Sequence, residues 1–196
     1  MLSCLAALLW LAFAVPAQAA VTITFWSHEF GNSFPHTFFT LRGIPDRGGA
    51  PVDVNYGFTA RSISPAILMG TVKGRMDAVD RGYMQGSDAQ FALQLTDAQY
   101  DQVVALTREW NEVGGDARYN LNNRNCVHFV QEAARRSGLT GLNHPSLMKK
   151  PRSFLLAVRD ANKDRVTTLG LSGKAYLASL QPIAATAPAA APSSGP

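Results

Sequence analysis

Residues 119–138 read YNLNNRNCVHFVQEAARRSG, an Asn-rich turn running straight into a short helix that begins at Cys126. Asn125 is a natural N-cap, because its side-chain oxygen can accept from a first-turn amide that has no partner within the helix. Val127, Phe129, Val130, Ala133 and Ala134 give this helix a broad apolar side, and Gly138 suits the left-handed residue that closes it. Cys126 thereby sits where free amides and the helix dipole favour negative charge. Such a position is expected to lower the thiol pKa and to favour the nucleophilic thiolate. The competing reading is a buried cysteine acting as a small apolar side chain.

The other cysteine, Cys4, lies in residues 1–19, MLSCLAALLWLAFAVPAQA. This apolar run ends in Ala17-Gln18-Ala19 and reads as a signal peptide, although no Lys or Arg precedes its core. It is short for a membrane span. Cleavage after Ala19 would place the chain in the periplasm or outside the cell, with Cys126 as its one thiol and no intramolecular disulfide. Residues 20–181 then form one domain with enough chain for a real core. Residues 182–196 are rich in Ala, Pro and Ser and are expected to be disordered.

Hydrophobic residues make up 46% and charged residues 16%, ordinary values for a globular domain. The net charge of +4 comes from scattered residues. It suits a solvated face, or peripheral contact with a membrane or cell envelope. No basic stripe or basic-aromatic module points to nucleic acid. No H-E-x-x-H and no Cys/His spacing points to a metal, and no cofactor is implied.

Upstream, residues 21–26 (VTITFW) read as a strand, and a polar, Gly-containing break follows over 27–35. Pro35-His36 opens a second strand, HTFFTLRG, and the turn-rich GIPDRGGAP leads to a third over 52–59. Taken as a hairpin centred near Asp46 and Arg47, these strands set His36 opposite positions 55–57. Residues 90–95 alternate as a strand. Thr96 with Gln99 forms a capping box for a helix expected to end at Gly114-Gly115, and Pro151 starts another helix. Residues 61–86 are punctuated by glycine, with Ile67, Leu68, Met69 and Val72 reading as core or as an acyl-sized groove. Residues 165–180 are ambiguous.

The run Asn125-Cys126-Val127-His128-Phe129-Val130 resembles the nucleophile segment of permuted papain-like thiol hydrolases. These belong to the lecithin:retinol acyltransferase-like branch of the NlpC/P60 superfamily, whose segment reads N-C-E-H-F. In that branch the catalytic His precedes the Cys and starts a strand, as His36 does here. The hairpin ending in Asn55-Tyr56-Gly57-Phe58 is similar to an exported bacterial subgroup. Over residues 21–160 the resemblance implies an α+β fold, an antiparallel sheet packed by helices in circularly permuted papain-like order. It also implies a Cys-His dyad that forms a thioester acyl-enzyme.

On this reading Cys126 is the nucleophile and His36 the general base. Asn55 is the candidate that orients the imidazole, where the acyltransferases carry His, and Tyr56 is its alternative on the opposite strand face. His28, Asn123, Asn125 and Tyr56 are the residues expected around the substrate, with the Cys126 amide as oxyanion donor. His128, about 200° around the helix from Cys126, is expected to be a structural hydrogen-bonder, and His144 a solvated loop residue. The substrate class implied is an amide of the cell-wall-peptide type. Acyl esters or lipids, and a binding domain without catalysis, stay open beside it.

Overall fold

Val21–His28 (β1) and His36–Gly43 (β2) carry large apolar side chains on both faces, so this sheet has to be covered on both sides. The computed structural model describes residues 20–29 and 34–183. The expected signal segment, residues 30–33 and the tail from 184 onward lie outside the described residues. Five further strands follow in chain order: Val52–Ala60 (β3), Thr71–Asp77 (β4), Asp88–Leu95 (β5), Arg118–Asn120 (β6) and Thr167–Ser172 (β7). Every pairing is antiparallel, in the order β6-β4-β3-β2-β1-β5-β7. The chain is therefore α+β, with an antiparallel sheet packed by helices.

Helices Asp97–Glu109 (α3), Cys126–Arg136 (α4) and Pro151–Ala161 (α5) cover one face. Phe129 of α4 is fully buried there, with ring centroids 5.4 Å from both Phe39 and Trp110. The other face carries Trp26 and Phe38, ring centroids 5.6 Å apart, beneath Arg81–Gln85 (α2) and Gly173–Ser179 (α6). Tyr176 of α6 closes this layer, its hydroxyl 2.9 Å from the Thr24 hydroxyl. A four-residue helix, Ala66–Met69 (α1), bridges β3 and β4.

The expected local signals at the helix ends are present. Thr96 and Gln99 form the capping box of α3. The Asn125 side chain accepts from the Val127 and His128 amides, and Gly138 has φ +81°. His128 Nδ1 lies 3.3 Å from the Asn125 amide, so its ring completes the cap. Three expectations change. Helix α3 ends at Glu109, short of Gly114-Gly115. Trp110 is its C-cap, the ring buried in the core with the Arg124 guanidinium stacked on it at 3.6 Å, and the Glu109 carbonyl accepts from the Asp116 amide at 2.8 Å. The ambiguous 165–180 becomes β7 and α6, where a side chain at Gly173 would run into the Met84 carbonyl. His144 is half-buried with its ring edge on Phe154, and is no solvated loop residue.

Candidate functional site

The β2–β3 hairpin is centred one residue later than the sequence suggests, since Phe38 pairs with Gly57 and Thr40 with Asn55. That pairing stops at Gly57, while β3 runs on to Ala60 along β4. His36 and Thr37 thus have β1 on one side and no β3 partner on the other. A cavity of about 930 Å³ opens at this split, and its walls include His36, Phe58, Ala60, Asp77, Tyr119 and Cys126. Cys126 reaches it because the Asn125 cap fixes the first turn of α4.

The thiol is buried and approaches β2 from the α4 side. Burial pushes it up from 9.0 to about 11, and the nearby backbone amides of Thr37, Val127 and Cys126 itself pull the other way. The expected thiolate is therefore corrected. Loss of water around a charge outweighs a helix terminus and three donors in the unliganded protein. His36 shows the complementary effect: burial lowers its imidazole from 6.5 to about 4, with Asp77 opposing and His28 adding to the shift. The resting pair is a neutral thiol and a neutral imidazole.

Strand alternation sets the His36 ring on the Phe38 face, stacked at 6.3 Å and edge-on to Tyr83 at 6.5 Å. Its Nε2 is buried without a hydrogen-bond partner. A Cβ placed on Gly57 would lie 2.7 Å from that nitrogen, so the missing side chain is what admits the ring. Asp77 pairs directly with Gly57 across β3 and β4. Directly opposed residues share a face, which places the carboxylate on the imidazole's side of the sheet. Asp77 also holds Arg75 at 3.4 Å.

Asn55 is not the orienter. Its amide spans the Val79 backbone, accepting from N–H at 2.7 Å and donating to C=O at 3.1 Å. The two-residue shift of the hairpin carries it away from His36. Tyr56 faces the other side, its ring centroid 5.8 Å from that of Phe39, and does not line the cavity. Asn123 is exposed and also outside the cavity. Asn125 lines it, but its amide is fully used: the oxygen caps α4 and Nδ2 donates to the Leu121 and Met148 carbonyls at 2.9 and 2.7 Å. His28 pairs with His36 across β1 and β2, lies 3.1 Å from the Ser87 hydroxyl and stacks on Tyr83 at 4.2 Å, behind the cavity wall.

Asp77, Tyr83, Gly57 and the Thr37 amide were missed in the sequence. Asp77 and Tyr83 reach His36 only through strand pairing and helix docking, for which GRMDAVDRGYM carries no local signal. Gly57 was readable as a glycine inside a strand, which marks a close approach. Comparison of the chain with protein-family models, curated proteins and solved structures finds no match. Among the described residues no group of His, Cys, Asp or Glu is arranged to hold a metal ion, and no helix is long and apolar enough to cross a membrane.

The two shifts predict a stability window. Between pH 6.5 and about 4 the unfolded chain takes up a proton at His36 that the folded chain refuses, so stability falls as the pH drops. Between pH 9 and about 11 the unfolded chain loses the Cys126 proton first, so stability falls as the pH rises. The His36 limb is worth on the order of 3 kcal/mol. His128 adds to it with the same sign, because burial and Arg124 lower its imidazole too. Melting temperature against pH checks this. His36→Gln should flatten the acid limb above pH 4.5 and Cys126→Ala the alkaline one; limbs unchanged in these variants would assign them to other groups.

Proposed function

We propose that this chain is an exported cysteine-dependent acyl-transfer enzyme of permuted papain-like type. Cys126 is its nucleophile and His36 its general base, and it hydrolyses an ester or amide of an apolar acyl group. The observation that carries the reading is the shared cavity: the thiol at a capped helix start and a strand-leading imidazole open onto it where β3 leaves β2. The order, His on a strand and then Cys on a helix, supports the permuted papain-like arrangement.

In the proposed reaction the neutral imidazole takes the Sγ proton as sulfur attacks the acyl carbon. The Cys126 amide donates to the developing oxyanion. Imidazolium, stabilised by Asp77 across β3, returns the proton to the leaving group as the carbon–oxygen or carbon–nitrogen bond breaks. A thioester remains. Water, deprotonated by His36, then releases the acid and the thiol. The thiol lies on the α4 face of β2 and the imidazole on the Phe38 face, with no hydrogen bond between them. In the proposed reaction they meet through the gap beside His36 where β3 has left β2, and catalytic hydrogen bonds commonly form only with substrate in place.

The peptide amide favoured by the sequence comes second to an acyl chain. Ile63, Ile67, Leu68 and Val79 line the cavity and together offer an apolar wall that suits an acyl chain. The test uses p-nitrophenyl esters from acetate to decanoate beside a cell-wall-type peptide amide, with intact-protein mass spectrometry. Turnover rising with chain length and an acyl adduct mapped to Cys126 are expected. No turnover of any probe and no adduct would overturn the proposal in favour of a binding domain.

A further inference from the structure

The cavity mouth carries a cluster of exposed apolar side chains. Phe34, Ile63 and Leu68 are 65%, 64% and 77% exposed and all line the cavity, and Met69 beside Leu68 is 88% exposed. Helix α1, which holds Leu68 and Met69, has no buried residue and no side-chain cap. Ile67 leans on the main core, while Leu68 and Met69, the last two residues of the helix, are left to solvent.

The same mouth is basic. Arg61 and Lys149 line it, and Lys150 and Arg152 follow Lys149 as exposed residues. No ion pair among the described residues engages any of the four. The acidic residues of the cavity are already committed, Asp77 to Arg75 at 3.4 Å and Asp80 to the Tyr83 amide that starts α2 at 2.8 Å. Apolar tips that share the cavity lining with Arg61 and Lys149, against the single Asp80 carboxylate left without a cation, match an anionic lipid surface, with hydrocarbon for the tips and headgroup phosphates for the cations.

We propose that the cavity mouth docks onto an anionic lipid bilayer, with Phe34, Ile63, Leu68 and Met69 entering the acyl boundary and Arg61, Lys149, Lys150 and Arg152 on the headgroups. Docked this way, the mouth faces the hydrocarbon layer. The docking itself does not depend on chemistry at Cys126.

Vesicle co-sedimentation of the full chain tests it, with phosphatidylglycerol/phosphatidylcholine vesicles against phosphatidylcholine alone. Expected are preferential binding to the anionic vesicles, weakening with salt, and at least roughly a tenfold loss in Leu68→Asp/Met69→Asp. Arg61→Gln and Lys149→Gln should each cost about fivefold. Val113→Asp, at a side chain 84% exposed away from the cavity, should bind as wild type does, and so should Cys126→Ala. Binding unchanged in Leu68→Asp/Met69→Asp would overturn the proposal, since residues 1–19 or another surface would then be the anchor. A dimer seen by sedimentation velocity without lipid, and abolished by the same variant, would overturn it in favour of a second copy of this chain. Loss of thioester chemistry with vesicle binding intact would sink the proposed function alone.

Discussion

Cys126→Ala is expected to lower kcat/KM on p-nitrophenyl decanoate by at least roughly 10³-fold, and His36→Gln by a comparable factor, because the two act as one unit. The pH dependence carries the sharper content. With imidazole at about 4 and thiol at about 11, the neutral pair dominates from acid to strongly alkaline pH. The kcat/KM profile should therefore be a broad plateau that falls only toward those two values. Alkylation by iodoacetamide follows the thiolate instead. It should be slower at pH 7 than that of a free model thiol and should climb toward pH 11. A thiol alkylated rapidly at neutral pH, with that rate lost in His36→Gln, would replace the neutral pair with a preformed thiolate–imidazolium pair.

Gly57→Ala is the second large effect. Gly57 does not have positive φ, so alanine brings no backbone strain. Its Cβ would lie 2.7 Å from His36 Nε2 and 3.4 Å from Phe38 Cβ. The imidazole is the end of a rotatable side chain and can move, whereas the strand cannot. We expect a fold that survives, with melting temperature lowered by only a few degrees, and a displaced ring. Misplacing a catalytic group by about 1 Å costs roughly 10²-fold in kcat. Full activity in Gly57→Ala would mean that the ring position seen here is not the one chemistry uses. A chain that fails to fold would show that Gly57 serves the sheet.

Much of the local structure could be read residue by residue. The capping boxes at Thr96 and Asn125 need only neighbours three positions apart, and the aromatic runs of β1 and β2 demand cover on both faces whatever covers them. The same locality explains the errors. A strand register two residues from the expected one, for which GIPDRGGAP carries no local signal, set Asn55 opposite Thr40 and its amide on Val79 instead of His36. Helix α3 ended at Glu109, with Trp110 as its C-cap and the ring packed under a distant Arg124 that no local stretch announces.

By itself the sequence determined that Cys126 would begin a capped helix and that His36 would begin a strand, since cap chemistry and side-chain periodicity act within a few residues. Only the tertiary structure decided that β3 parts from β2 at Gly57, that both groups open onto the cavity formed there, and that Asp77 shares the imidazole's face. It also decided the charge state. A helix start favours a thiolate, but the desolvation that opposes it depends on everything packed around Cys126, which no stretch of sequence specifies locally.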